Sequence, residues 1–163
     1  CGGLTISTTS SGEIINRKTP IYPWNILIVL PIIRLSTRKA RSVLPGKVKM
    51  KSAVKNIGRS LLTLQALQEG DQDLLLQVMK DKIHQPYRLK LIPNAKKLIK
   101  FGRSHGIPGA VSGAGPSLVF FSRGGFEVFE ENAKTLFDQA GINNEIYPLK
   151  PVDTGADLQP TEY

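Results

Sequence analysis

Apolar and polar positions alternate near the start of the chain in a pattern that predicts β-structure. Residues 4–8 and 13–16 read as short strands separated by the polar residues 9–12, which predicts a hairpin. Residues 25–30 are apolar and largely β-branched, as is typical of a central strand buried on both faces, and Pro31 ends that run.

Three segments in the middle of the chain have the three- and four-residue apolar spacing of amphipathic helices. The first carries Val54, Ile57, Leu61, Leu64 and Leu67, and Gly70 follows as its C-terminal stop. The second is capped by Asp71 or Asp73 and is expected to continue to Pro86, with Leu75, Val78, Met79 and Ile83 on its apolar face. The third covers residues 94–106.

The last third of the chain predicts a strand, a glycine loop and a second strand, over residues 107–112 and 118–122. A helix over 126–140 and a strand over 145–149 follow. Strands at both ends with helices between them favour an α+β sandwich, in which helices cover one face of a sheet.

Length and composition fit one ordinary globular domain, because 163 residues with 40% hydrophobic and 21% charged residues can bury a single core. The longest apolar run, residues 26–33, is interrupted by Pro31 and is far shorter than the roughly 20 residues of a membrane-spanning helix. We therefore expect no membrane segment. Cys1 is the only cysteine, and no secretory leader opens the chain, so a cytoplasmic location is expected.

The net charge of +9 suits a nucleic acid, an acidic surface or an anionic small molecule, and the sign alone does not choose among them. Few aromatic residues lie among the basic clusters, and neither an RNA-binding aromatic platform nor zinc-finger spacing occurs. Nucleic-acid binding is therefore the weaker alternative.

Residues 109–117 read Gly-Ala-Val-Ser-Gly-Ala-Gly-Pro-Ser and contain the first candidate site. Gly113 and Gly115 permit positive φ, so that successive amide N–H groups of this loop could converge on an anion such as phosphate. The structural alternative is a tight turn between two strands.

The second candidate lies at residues 81–88, where Pro86 is expected to force an extended exit from a helix and hold Arg88 on fixed backbone. A guanidinium group offers two parallel donors to a carboxylate or a phosphate, although a surface ion pair is the common role of an arginine. His84 and Asp81 are acid–base candidates, and either of them could instead cap or orient the segment that carries Arg88.

The third candidate is the short basic segment that follows Pro31. Ser36 and Thr37 can cap a helix that is stopped by Pro45. Thr37 and Arg41 lie four residues apart, face the same side of one helical turn and could grip one ligand.

In order and spacing, these three pieces resemble the homoserine kinases of the GHMP family over nearly the whole chain. The segments S-T-x-x-A-R-x-x-L-P, D-x-x-H-x-P-Y-R and S-G-A-G-P-S occur in that order, and the last is similar to the third GHMP motif. Residues 152–156 look like the closing segment of the family. The resemblance implies a ferredoxin-like two-layer α+β sandwich, with an antiparallel sheet and helices on one face.

The resemblance also implies roles for individual residues. Homoserine kinases transfer the γ-phosphoryl group of ATP to the hydroxyl of L-homoserine, a step of threonine biosynthesis. Thr37, Arg41 and Arg88 would surround L-homoserine, with an arginine on its carboxylate. The loop that closes on substrate and phosphates would comprise Ser112, Gly113, Ala114 and Gly115, with Asp81, His84 and Ser117 as secondary candidates. No residue is assigned as the general base.

The family's principal ATP-binding loop and its Mg²⁺-holding acid have no counterpart in this sequence. The resemblance therefore places the grip on ATP and Mg²⁺ mainly in an N-terminal half, and we expect the chain alone to have little kinase activity. We expect residues 1–150 to form the C-terminal domain, with 1–24 as its start next to a cut, and 151–163 to form a tail. A homodimer, another GHMP small-molecule kinase, and a non-catalytic amino-acid or nucleic-acid binding module remain open alternatives.

Overall fold

The computed structural model of the chain describes residues 2–155. Its first element is the predicted hairpin, in which β1 (Leu4–Ser10) pairs antiparallel with β2 (Glu13–Thr19) as a separate two-stranded sheet. The two turn residues, Ser11 and Gly12, have φ values of 51° and 84°, as a tight hairpin turn with two left-handed residues requires. The prediction of a hairpin is therefore confirmed.

The main sheet has four antiparallel strands in the order β4-β5-β3-β6. The strands are β3 (Asn25–Pro31), β4 (Gly109–Val111), β5 (Leu118–Ser122) and β6 (Asn144–Leu149). The central position of β3 is confirmed, because it pairs with β5 on one side and β6 on the other.

The prediction that β3 is buried on both faces holds for one face only. Leu27 and Val29 are fully buried, whereas Ile26 and Ile28 on the opposite face are half-buried. The difference arises because helices cover one face of the sheet along its length and the other face only at one end.

Six helices and a short 3-10 turn (Leu89–Leu91) connect these strands in the described part of the chain. The helices are α1 (Thr37–Ser42), α2 (Met50–Glu69), α3 (Gln72–Val78), α4 (Gln85–Arg88), α5 (Ala95–Ser104) and α6 (Glu127–Asp138). Three of the predicted end signals act as expected. Ser36 and Asp71 accept hydrogen bonds from the first turns of α1 and α3, and Gly70 ends α2 in the left-handed conformation.

The larger core lies between the sheet and the helices α5 and α6. The Phe120 and Phe129 rings lie 4.5 Å apart at its centre, joining β5 to α6. A side chain on Gly109 would collide with the Phe120 ring, so glycine at that position lets β4 lie directly beside the aromatic core.

A smaller core lies against the opposite face of the sheet. It contains Trp24, Ala66, Leu75 and Phe121, so the end of α2 and the middle of α3 cover this face near Trp24. The Trp24 indole donates to the carbonyl oxygen of Leu67 at 2.9 Å, which satisfies the polar atom of a fully buried ring. Together the elements confirm an α+β fold with an antiparallel sheet.

The prediction that the helix after Gly70 continues to Pro86 is wrong. α3 ends at Val78, and the carbonyl groups of Met79 and Lys80 accept hydrogen bonds from the side chains of Arg103 and Arg59. These donors, which are distant in sequence, satisfy the two carbonyl groups after the helix has ended. Pro86 lies in the first turn of α4 and not in an extended exit. In a first turn the N–H that proline lacks would have had no helical partner.

The apolar face of α2 does not pack into a core along its whole length. Met50, Val54, Ile57 and Leu61 are 78%, 59%, 64% and 65% exposed, and only the last turns of the helix reach the smaller core. We call these four residues the α2 stripe. Helical periodicity therefore predicts the helix correctly but not which half of it is covered.

Residues near the end of the described chain lie against the hairpin. The Gly3 amide donates to the Val152 carbonyl at 2.6 Å, and Lys18 donates to the Asp153 carbonyl at 2.5 Å. The rest of the expected tail, 156–163, lies outside the described residues. Within residues 2–155, no helix combines the length and apolar content that crossing a bilayer requires.

Candidate functional site

Arg88 and the glycine loop are in direct contact. Arg88 is the last residue of α4, and its Nη1 atom donates to the carbonyl oxygen of Gly113 at 2.5 Å. Its Nε atom is buried and has no hydrogen-bond partner in the described chain. A buried guanidinium donor without an acceptor is costly, so one donor of Arg88 is left unsatisfied by the described residues.

The loop itself closes a hairpin between β4 and β5, as the structural alternative predicted. The Ser112 amide donates to the Ser117 carbonyl at 2.8 Å, and the Gly115 amide donates to the Ser112 carbonyl at 2.9 Å. Gly113 and Gly115 have φ values of 55° and 84°, as the sequence predicted. The amides of Gly113 and Ala114 make no backbone hydrogen bond within residues 2–155; Gly113 is exposed and Ala114 is half-buried.

Helix α1 begins close to the same loop. Leu35, which directly precedes the capping Ser36, lies 3.6 Å from the point that a Cβ atom on Gly115 would occupy. Thr37 and Arg41 both lie on α1 and are exposed. Neither side chain forms a hydrogen bond or an ion pair with another described residue. The fold thus brings all three sequence segments to one region while leaving Thr37 and Arg41 uncommitted.

Asp81 caps the helix that carries Arg88. Its carboxylate accepts from the backbone amides of Ile83, His84 and Gln85 and from the Asn56 side chain. Burial raises the pKa of Asp81, but these four hydrogen bonds together outweigh burial and hold that pKa below its ordinary value. Of the two roles considered for Asp81, this geometry matches the capping role.

His84 directly precedes α4. Its Nε2 atom is 3.7 Å from Oδ1 of Asp81, and its Nδ1 atom is buried without a partner among the described residues. Both residues line a cavity of about 350 Å³ together with Asn56, Arg59, Lys80 and Gln85. Arg88 and the Ser112–Gly115 loop do not line this cavity, so Asp81 and His84 lie apart from them, whereas Ser117, the third secondary candidate, pairs with Ser112 in the loop.

Sequence reasoning missed two residues that hold this region together. Gln85 is buried, and its Oε1 atom accepts from the Val111 amide at 2.8 Å. Asn56, in α2, binds the loop before α4 through two hydrogen bonds. Its side-chain nitrogen donates to Asp81, and its side-chain oxygen accepts from the Lys82 amide. The polar Gln85 beside Pro86 was a visible signal, whereas nothing local to Asn56 marks a contact 25 residues away.

Comparisons with known proteins identify relatives of this chain. Residues 63–139 match the family described as GHMP kinases C terminal. A homoserine kinase of Natranaerobius thermophilus is 38% identical over 159 residues, which cover 95% of this chain and 51% of that protein. A homoserine kinase of Caldicellulosiruptor bescii is 42% identical over 136 residues, covering 82% and 44% of the two chains.

Residues 63–139 thus correspond to the C-terminal region of the GHMP kinases. The crystal structure of a homoserine kinase from Cytophaga hutchinsonii superposes with a TM-score of 0.82 at 25% identity, covering 92% of this chain and 49% of that one. Both comparisons confirm the resemblance to the C-terminal part of homoserine kinases. The chain spans about half the length of the curated relatives that it matches.

Proposed function

We propose that this chain is the substrate-holding half of an ATP-dependent homoserine kinase, which phosphorylates the side-chain hydroxyl of L-homoserine in threonine biosynthesis. The curated relatives named above are homoserine kinases. The observation that carries the proposal is the buried, unpartnered Nε atom of Arg88, whose neighbouring Nη1 atom already binds the glycine loop.

In this proposal Arg88 anchors the α-carboxylate of L-homoserine. The planar guanidinium group can present two N–H donors to the two carboxylate oxygens, and Nε takes part once the atoms that cover it move aside. Thr37 and Arg41, exposed on α1 beside the loop, would complete the grip on the amino acid. Other GHMP kinases phosphorylate mevalonate or galactose. Galactose has no carboxylate for these arginines to bind, whereas mevalonate has one and is compared with L-homoserine in the experiment below.

The glycine loop would contribute its free donors. The amides of Gly113 and Ala114 are oriented by a loop whose ends are tied by the Ser112–Ser117 hydrogen bond. Two adjacent amides suit an anionic group, and ATP would supply the phosphoryl group that is transferred. Phosphoryl transfer depends mainly on positioning and on donors aimed at developing charge, which is what a preorganised loop offers.

Mg²⁺ is part of the proposal, but none of its ligands is assigned to this chain. Residues 2–155 contain no cluster of three or more histidine, cysteine, aspartate or glutamate side chains that could hold a metal ion. We propose that Mg²⁺ and most of ATP are held by an N-terminal half comparable to that of the relatives. We also propose a cytoplasmic location, residues 1–150 as one domain, and a homodimer as an assembly to test.

The proposal is tested in two steps. L-Homoserine is first titrated into the isotopically labelled chain, and we expect the Arg88, Gly113 and Ala114 resonances to shift. The preceding half of the Natranaerobius thermophilus homoserine kinase is then joined to this chain, and ATP-dependent phosphorylation is measured with L-homoserine, mevalonate and galactose. We expect activity with L-homoserine from the chimera and little or none from the chain alone.

Two outcomes would contradict the proposal. A chimera that phosphorylates mevalonate or galactose in preference to L-homoserine would favour another GHMP kinase. A chain that ignores L-homoserine but binds a generic oligonucleotide with steep salt dependence would favour a nucleic-acid binding module. Appreciable turnover by the isolated chain would refute its expected inactivity.

A further inference from the structure

Gln85 is one of the two buried polar residues among those that the structure describes. It is 7% exposed, and its Oε1 atom accepts from the Val111 amide at 2.8 Å. An aliphatic side chain of similar length would bury at lower cost, because an amide taken from water must regain its hydrogen bonds. Gln85 therefore supplies an acceptor, and the amide that donates to it lies on β4, the strand that leads into the glycine loop.

Gln85 and Arg88 are the first and last residues of α4, and both bind the same stretch of chain. Gln85 accepts from Val111, while Arg88 donates to Gly113 two residues further on. A single hydrogen bond would leave α4 free to pivot on the loop. Two hydrogen bonds of opposite polarity, made by residues one helical turn apart, fix both the position and the direction of the helix.

The first turn of α4 is also held by Asp81. Asp81 accepts from the Gln85 amide at 2.5 Å and from the His84 amide at 2.7 Å, so the helix cannot rotate about its axis without breaking these bonds. The position of the Gln85 side chain along β4 is thus fixed, so that a displacement of Val111 would also displace α4.

We propose that Gln85 is a positioning residue that fixes the register of the Arg88 guanidinium group on the Ser112–Gly115 loop. This inference rests on the proposed function, in which Arg88 binds the substrate carboxylate and the loop meets the anionic groups. Through Gln85 the two halves of that site move as one unit, so substrate binding at Arg88 and closure of the loop are coupled.

The test uses the labelled 163-residue chain and variants that differ only in the acceptor. Gln85→Met keeps the length and removes the acceptor, whereas Gln85→Glu keeps an acceptor oxygen at the same reach, ionised or protonated. Gln85→Asn keeps the amide but shortens the reach, and it replaces the methionine variant if that variant fails to fold. Gln65→Met, at an exposed position of α2, is the matched control.

Hydrogen exchange of the Val111 amide and the resonances of Gly113 and Ala114 are the measurements. We expect Gln85→Met or Gln85→Asn to speed Val111 exchange by about tenfold, as the loss of one hydrogen bond implies, and to shift the loop resonances. Gln85→Glu and Gln65→Met should leave exchange slow. Unchanged exchange in the acceptor-free variant, or a glutamate variant that behaves like it, would overturn the proposal.

The same variants are then titrated with L-homoserine. We expect Gln85→Met to weaken binding by about tenfold and Gln85→Glu to retain most of the affinity, because only the first loses the Val111 contact. If the unaltered chain has no affinity for L-homoserine, the proposed function fails while the exchange data still decide the role of Gln85. If Gln85→Met speeds Val111 exchange as expected but leaves the affinity for L-homoserine unaltered, the coupling between the loop and Arg88 is overturned.

Discussion

The side-chain amide of Asn56 donates to Oδ1 of Asp81 at 2.5 Å, and this contact joins the middle of α2 to the start of α4. Asp81 in turn accepts from the first amides of α4, the helix that ends at Arg88. A residue far from the glycine loop therefore supports the element that presents the candidate substrate arginine. The stability of that support can be measured through Asp81.

We expect Asp81→Ala to lower the free energy of unfolding by roughly 1–2 kcal/mol, the upper part of the range for a lost helix cap. Because hydrogen bonds hold the folded-state pKa of Asp81 below its ordinary value, the contribution is complete above pH values near the unfolded pKa of about 3.9. It should diminish as the pH falls through the lower folded-state pKa. Urea unfolding between pH 7 and pH 3 measures the difference.

Asp138→Ala is the control for this experiment, because it removes an exposed carboxylate from the end of α6. Its effect on unfolding should be small across the pH range. A difference between the chain and Asp81→Ala that grew as the pH fell would contradict the capping role.

The α2 stripe gives a second prediction about stability. Leu61 is 65% exposed, whereas Leu75 on α3 is fully buried in the smaller core. We expect Leu75→Ala to cost about 2–5 kcal/mol, the range for removing a buried leucine side chain. Leu61→Ala should change the free energy of unfolding by less than about 0.5 kcal/mol. Both are measured by urea unfolding of the same chain.

Equal costs for the two leucines would show that Leu61 is covered in solution. Repeating the measurement at lower protein concentration would then test self-association, because a cost that arises between two copies depends on concentration. This experiment also addresses the open alternative of a homodimer.

Most elements of the fold follow from local signals in the sequence. Ser36, Gly70 and Asp71 mark helix ends by capping chemistry, which depends only on neighbouring residues. The end of α3 at Val78 was missed because Arg59 and Arg103, distant in sequence, bind the carbonyl groups that follow it. Tertiary donors of this kind leave no mark in the local pattern.

The candidate site divides in the same way. The positive φ of Gly113 and Gly115 could be predicted from the residues alone, since glycine tolerates that conformation. The contact between Arg88 and Gly113 joins residues 25 positions apart and depends on where α4 packs. The family resemblance grouped these residues, whereas the bond from Val111 to Gln85 required the structure.

Arg88→Ala should weaken L-homoserine binding by roughly 2–5 kcal/mol, the range for removing one partner of a buried charge pair. The substitution removes the unpartnered Nε donor and the contact with Gly113 together. Arg38→Ala, which removes an exposed arginine from α1, is the control with the same change of charge. Unchanged affinity in Arg88→Ala, measured by calorimetry, would sink the assignment of Arg88 to the carboxylate.

Three glycines separate backbone strain from crowding in the site. Gly115 has a φ of 84°, and an added Cβ atom would lie 3.1 Å from the side chain of the buried Ile92. We expect Gly115→Ala to destabilise the chain by roughly 1–3 kcal/mol and to perturb the loop.

Gly106 has a φ of 73° with open space around it, so Gly106→Ala should cost only the conformational part, about 1 kcal/mol. Gly58 lies inside α2 with open space, so Gly58→Ala should stabilise the chain by about 1 kcal/mol. If unfolding curves show Gly115→Ala costing no more than Gly106→Ala, the loop is not held against Ile92, and its proposed preorganisation is wrong.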